Sequence, residues 1–357
     1  MKKVIVLHDF DGKPYFKALE QVADVVYLNT RPFRFMLRDL LKYRRIQRET
    51  LNSFFFLFKL PFIRQQTILL GMAPFNIRLL IYSFLCKHNR VLLHTSWHQW
   101  QGEVPFEYPK PLRGWLKRAW RHRLPRFSGI VAVTDETARS VSQFLPELTA
   151  RIVTIPHVVD IDPINADAFE KKWQQSPNRF LFTGRLTAAK GVGTCLELAE
   201  YAATADPELE FHIAGRGEAE SQVTAYQRGL ANLHFHGFIS DREQLKSLMA
   251  RSHFLLLPSR KINGWEELFG LVVIEAMSQG CVVIASDHIG PREIITDGED
   301  GLLCREEDFA GKAKQLIDGL SQNTLRHARL ADKALAASRS YSMNVVATMW
   351  SGLINKF

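Results

Sequence analysis

Acidic side chains are missing from a whole stretch of this 357-residue chain: residues 50 to 102 contain neither Asp nor Glu. That deficit excludes an evenly mixed surface for the N-terminal half. Up to residue 150 there are 24 Lys and Arg against 11 Asp and Glu, and from residue 151 onward 22 against 26, so the net charge of +9 originates in the first half. Cysteine is scarce as well. Cys86, Cys195, Cys281 and Cys304 lie in apolar segments with no CxxC pair and no His at metal-ligand spacing, which excludes a disulfide framework and predicts buried thiols in a reducing compartment.

Long hydrophobic runs are also absent. The greasiest region, SFFFLFKLPFIRQQTILLGMAPFNIRLLIYSFLC, is broken by Lys59, Pro61, Arg64, Gly71, Pro74 and Arg78, so no piece approaches the ~20 apolar residues of a spanning helix. The opening MKKVIVLHDFDGK holds only a four-residue apolar run, VIVL, too short for a signal-peptide core. No transmembrane segment is expected, and the expected location is the cytoplasm, at most against the inner face of the cell membrane.

What is present is ample for two packed cores: 46% of residues are hydrophobic and 11% aromatic. Short apolar runs, KVIVLH, DVVYLN, TILLG, RVLLHTS and GIVAVT, alternate with longer stretches able to form helices. That alternation predicts a parallel sheet covered on both faces. After RIVTIPHVVDIDPI the pattern restarts with NRFLFTG, LEFHIAG, NLHFHGF, HFLLLPS and CVVIAS, separated by helical stretches such as VGTCLELAEYAATA and DREQLKSLMARS. The fold expected is α/β, with two Rossmann-like doubly wound domains, residues 1–155 and 156–340, facing one another across a cleft. The amphipathic segment at about 341–357 packs back on one of them.

The segment WEELFGLVVIEAMSQGCVVIAS, Trp265 to Ser286, follows a predicted buried strand. Gly270 sits where a helix begins and Gly280 where it ends. A helix start presents unpaired N–H groups and partial positive charge, a natural seat for a pyrophosphate. Glu267 lies just before that seat. Glu275 follows about one and a half turns later, flanked by Val273, Ile274, Ala276 and Met277, and an acid so embedded usually has a partner or a task. In FLFTGRLTAAKGV, a strand leads into Gly184 and Arg185, and Lys190 opens the next helix. Two permanent cations there can neutralise a diphosphate leaving group.

The segments TGRLTAAKG, IAGRGE, LLLPS, ELFGLVVIE, AMSQGCVVIASD and GPREIITDGEDGLL resemble, in order, the motifs of retaining GT-B glycosyltransferases of the GT4 type, the glycosyl transferases group 1. The likeness is dense over roughly residues 150–305. It implies that Arg185 and Lys190 contact the donor diphosphate, Glu275 the ribose and Glu267 the hydroxyls of the donor sugar. The Phe269-Gly270-Leu271 backbone would meet phosphate or sugar, beside Gly184. Gly215, Gly217 and the segment from His236 to Phe238 would surround the base. His94, near the end of RVLLHTS, resembles the histidine that faces the reacting sugar, a reading that stands ahead of the alternative of a satisfied core histidine. Gly12 stands alone in HDFDGKPY where many relatives have paired glycines, at the position of an acceptor-side phosphate contact.

The function implied is metal-independent, configuration-retaining transfer of a sugar from a nucleotide-sugar of UDP or GDP type to a glycan or lipid-linked acceptor. The donor is a substrate, and no separate cofactor is expected. A nucleotide-sugar epimerase and a non-catalytic membrane-surface protein are the rival readings. No metal site is expected: His94 and His98 lack a third ligand, and Asp160-x-Asp162 falls in the interdomain segment. GRGEAE lacks the third glycine of a dinucleotide fingerprint.

Two basic amphipathic stretches complete the picture. FRFMLRDLLKYRRIQR places Phe33, Met36, Leu37, Leu40 and Leu41 at helical spacing among arginines. PLRGWLKRAWRHRLPRF does the same with Leu112, Trp115, Leu116 and Ala119. Together they predict peripheral contact with an anionic membrane. No recognised nucleic-acid module is present, and no nucleic-acid partner is expected.

Overall fold

Among the described residues, valine, isoleucine and leucine runs too short for helices form twelve strands. A computed structural model describes residues 1–9, 13–101, 108–159, 162–174, 178–262 and 265–356. They fall into two units, one of residues 1–158 with 343–357 and one of residues 159–342. Gly12 and Asp160 lie outside the described residues.

Unit 1 holds β1 (Lys2–His8), β2 (Ala23–Asn29), β3 (Thr67–Gly71), β4 (Arg90–Thr95), β5 (Gly129–Ala132) and β6 (Ile152–Thr154), in the order β2-β1-β3-β4-β5-β6. Every pairing is parallel. Successive side chains of a strand point to opposite faces. Ile5, Leu7, Ile68, Leu70 and Leu93 therefore join one core, and Val4, Val6, Leu69 and Leu92 another. Burial on both faces is why these strands read as continuous apolar runs. The helix Met343–Asn355 closes the second core with Val346, Ala347, Trp350, Leu353 and Ile354, and Lys2 Nζ donates to the Ile354 carbonyl at 3.1 Å.

Unit 2 holds β7 (Arg179–Arg185), β8 (Glu210–Arg216), β9 (Leu233–Phe235), β10 (Phe254–Leu257), β11 (Val282–Ser286) and β12 (Leu302–Cys304), ordered β12-β11-β10-β7-β8-β9 and again parallel. Counted within the unit, this is the doubly wound order in which the chain reverses direction beside its first strand. A crevice therefore opens at the carboxyl ends of β7 and β10, where such folds bind ligands. In unit 1 the equivalent reversal lies between β1 and β3.

The two basic amphipathic segments behave differently. The helix Lys110–Arg123 buries Leu116 and Trp120 in the sheet core, leaving Trp115 partly exposed. The helices Pro32–Tyr43 and Arg48–Lys59 leave Phe33, Leu37, Leu40, Leu41, Phe55 and Phe58 exposed. Buried Asp39 fastens these two helices: it accepts from the Gln47 N–H at 3.1 Å and the Thr50 hydroxyl at 2.6 Å, and pairs with Arg38 at 2.8 Å. Among the described residues no helix is long and apolar enough to cross a membrane.

Candidate active site at the sheet reversal of unit 2

The loop after β7 and the loop after β10 meet at the crevice between those strands. Lys190 ends a short 3-10 turn, Ala188–Lys190, and its Nζ is ion-paired with Glu267 Oε2. Both side chains are largely enclosed. The same ammonium lies 5.1 Å from the centroid of the Trp265 ring, an added attraction for a cation. Two residues that the sequence separates by 77 positions are thus joined at the place where a ligand belongs.

Glu267 is positioned by its backbone. Its N–H donates to Nδ1 of fully buried His288 at 3.1 Å, and its carbonyl accepts from the Gly290 N–H at 2.8 Å. Because His288 Nδ1 accepts, Nε2 carries the ring proton and donates to Glu306 Oε1 at 2.9 Å. Sequence reasoning missed His288 and Glu306. The only signal was a histidine following a buried strand in IASDHIG, and its partner lies 18 residues away.

Gly270 caps the helix Leu271–Ser278 in the left-handed conformation, φ 77°. A side chain there would be strained by that backbone and would crowd Val273. The turn brings the helix amides to the crevice directly after Glu267. Phe269 is buried, with its ring 6.3 Å from that of Tyr341, and Leu271 is partly exposed. Glu275 lies inside the helix with its carboxylate mostly enclosed, bonded to Arg242 Nη2 at 2.9 Å. Burial pushes its pKa above the ordinary carboxylate range, against the pull of Arg242.

Gly184 and Gly215 are in register on β7 and β8, so close that a Cβ on Gly215 would meet the Gly184 carbonyl oxygen at 1.8 Å. Arg185 and Arg216, the next pair, are both exposed. The structure does not bond Arg185 to Lys190, Glu267 or Glu275. Arg216 lies over the Phe238 ring, 4.5 Å from guanidinium carbon to centroid. Gly217 begins the turn after β8, while His236 is exposed and hydrogen-bonded through Nε2 to His212 Nδ1 at 2.9 Å.

His94 belongs to unit 1. It is buried at the end of β4, its ring 4.8 Å from Phe16, 5.9 Å from His157 and 6.2 Å from His8. Burial, then His157 and His8, hold its pKa far below the ordinary value, so the imidazole is neutral. His98, half-buried, has its ring 6.1 Å from that of Trp97.

Residues 163–335 match the family model described as glycosyl transferases group 1. The phosphatidyl-myo-inositol mannosyltransferase of Mycobacterium tuberculosis is 30% identical over 224 residues, 62% of this chain and 57% of that protein. The GDP-mannose:cellobiosyl-diphosphopolyprenol alpha-mannosyltransferase of Xanthomonas campestris is 28% identical over 206 residues, 56% of this chain and 52% of that protein. The matched stretch thus spans little more than half the length of these relatives. Anabaena HepE in complex with UDP has a similar fold over the full length of both chains, with TM-score 0.68 at 16% identity. The pneumococcal O-GlcNAc transferase GtfA, in complex with UDP and GlcNAc, matches over 86% of this chain and 60% of that one, with TM-score 0.63 at 16% identity.

Proposed function

From a chain with a GT-B fold whose residues 163–335 are a glycosyl transferases group 1 domain, we propose that this protein is a retaining glycosyltransferase. It moves a sugar from a nucleotide-sugar to an acceptor hydroxyl on a membrane-associated glycolipid or polysaccharide intermediate of the cell envelope. Unit 2 holds the donor and unit 1 the acceptor. The observation that carries this reading is the Lys190–Glu267 pair at the sheet reversal of unit 2. Each member satisfies the other until a ligand arrives that offers phosphate oxygens to the ammonium and hydroxyls to the carboxylate.

Transfer breaks the bond between the anomeric carbon and the phosphate oxygen and forms one to the acceptor oxygen, which loses its proton. Negative charge grows on the departing diphosphate. Lys190, Arg185 and the amides at the start of Leu271–Ser278 stabilise that charge, each such contact contributing about 3 kcal/mol when aimed at the transition state. Glu275 takes the ribose and Glu267 the donor sugar. His94, neutral and enclosed, fits a group that accepts or donates a hydrogen bond at the reacting sugar rather than a second cation.

The acceptor reading draws on unit 1. The names of both mannosyltransferase relatives specify lipid acceptors, and the exposed Phe33, Leu41, Phe55, Phe58 and Phe62 share one region of sequence with Arg34, Arg44, Arg45, Arg48 and Lys59. Aromatic rings inserted at an interface, with cations beside anionic headgroups, give peripheral binding of about 1 kcal/mol per basic residue.

The deciding experiment is a panel of UDP- and GDP-sugars assayed for thermal stabilisation and donor hydrolysis, with transfer scored on lipid-linked acceptors. One donor class should stabilise the protein by about 2.7 kcal/mol at 100 times its dissociation constant, and retention should appear in the product's anomeric NMR signal. An inverted product overturns retention. Turnover to an epimer without transfer overturns the transferase reading.

A further inference from the structure

A second constellation lies away from the Lys190–Glu267 pair, on the outer strands of the unit 2 sheet. Glu210-Phe211-His212 on β8 and His234-Phe235-His236 on and just past β9 share one spacing, with His212 in register beside His234. Alternation along a strand sends Phe211 into the core and leaves Glu210, His212 and His234 on the opposite face. One nitrogen or oxygen from each of these three residues lies within 4.8 Å of the others. The rings of His212 and His234 stack at 4.8 Å, and those of His212 and His236 at 5.2 Å.

A purely structural reading explains part of this. His212 Nε2 donates to Glu210 Oε2 at 3.2 Å, and its Nδ1 accepts from His236 Nε2 at 2.9 Å, so a chain of three groups is satisfied with one proton on each ring. His234 contributes nothing to that chain, yet its ring is held against His212 with a nitrogen aimed at the same small volume. Two polar residues per strand at alternate positions on adjacent strands are also the arrangement that lets four side chains converge on one point.

We propose that Glu210, His212 and His234, with His236 at the rim, form a binding site for a divalent transition-metal ion of the zinc type. Imidazole nitrogens with a single carboxylate suit zinc, nickel or copper and not the oxygen-seeking magnesium or calcium. Arg179 donates to Glu210 through Nε at 2.7 Å, orienting the carboxylate. Arg179 and, in the helix Arg242–Arg251, Arg251 are the cations facing the cluster, and their repulsion limits affinity. Binding closes the ligand atoms from within 4.8 Å to roughly 3.3 Å, the spacing set by metal bonds of about 2.0 Å. The ion would staple the edge strand β9 to β8 and fix the approach to Gly237, whose carbonyl accepts from the Gly215 N–H at 2.7 Å. This inference stands apart from the proposed sugar transfer and does not depend on it.

The test uses the full chain, free of any polyhistidine tag and stripped with a chelator, titrated with zinc chloride by calorimetry. The expected result is one saturable ion per chain, no response to magnesium, and affinity at least tenfold weaker in His234→Gln, where only a half-buried ring is altered. Absence of saturation, or equal affinity in His234→Gln, overturns the proposal. In the unmutated protein, crystals soaked in zinc should show an anomalous-scattering peak between β8 and β9. A peak only elsewhere overturns it.

Discussion

Both sheets reverse direction beside a first strand, and both place a carboxylate and a cation at that point. The two pairs are built very differently. In unit 1, Asp9 directly after β1 is buried and accepts from Arg78 Nη1 at 2.6 Å and Nη2 at 2.9 Å, from Arg31 Nη2 at 3.1 Å, and from the Thr30 hydroxyl. In unit 2, the Glu267 carboxylate has Lys190 as its one hydrogen-bond partner among the described residues. A carboxylate with four donors is committed to the fold. A carboxylate with one can change partners, which a ligand site requires.

That contrast can be broken by substitution. The largest effect is expected for Asp9→Ala, which strands Arg78, Arg31 and Thr30: a loss of about 3–5 kcal/mol in urea unfolding, with donor affinity of the folded fraction unchanged. Burial raises the Asp9 pKa, but the bonds from Arg78 and Thr30 and the charges of Arg78 and Arg31 lower it further. Its stabilisation is therefore present above the unfolded value and disappears as pH falls through the lower folded one. An Asp9 variant as stable as the parent would erase the distinction between the two reversals.

Lys190→Ala should do the opposite, costing about 100- to 1,000-fold in kcat with a melting temperature within a few degrees of the parent. Comparable losses in stability and turnover would make Lys190 a structural residue.

Glu275 sharpens the comparison through its pH dependence. Because its folded pKa is raised, the ionised carboxylate costs stability once the pH exceeds the unfolded value. Glu275→Gln should accordingly be more stable than the parent at pH 7 while binding donor more weakly, the signature of a group kept for function. Arg242→Ala removes a contact that lowers this pKa, so the acid limb of the kcat/KM profile should move to higher pH. A limb that stays in place would show that Glu275 does not set it.

The smallest effect is expected at the surface. Replacing Phe58 and Phe62 with Ser should leave the melting temperature unchanged, since both side chains are exposed, at 65% and 80%. Co-sedimentation with anionic vesicles should fall several-fold in these variants, and added salt should weaken binding of the parent. Salt-insensitive binding, or none, would remove the membrane from the proposal.

Much of the architecture was legible because a doubly wound sheet advertises itself. Strands such as KVIVLH and CVVIAS are buried on both faces and so lack polar interruptions. Of the three-residue edges, β9 was legible in NLHFHGF, whereas β6 and β12 were not, because so few residues carry no period and their place is decided by pairing with β5 and β11. Gly270 and Gly280 were readable as helix limits, since each adopts a positive φ, 77° and 67°, that other residues resist. Arg242, His288 and Glu306 were not readable, because their relation to Glu275 and Glu267 exists only across the fold. The basic helices divided for a similar reason. Periodicity alone identified both, and only packing showed that Leu116 and Trp120 face a core while Leu40 and Leu41 face outward.

By itself the amino-acid order determined which segments become strands and helices, and where backbone turns need glycine, because those depend on neighbours a few positions away. Only tertiary structure decided which charges meet. Lys190 found Glu267, Asp9 took two arginines, and Glu210 gathered with His212 and His234, since Coulomb attraction and coordination act through space and are blind to separation along the chain.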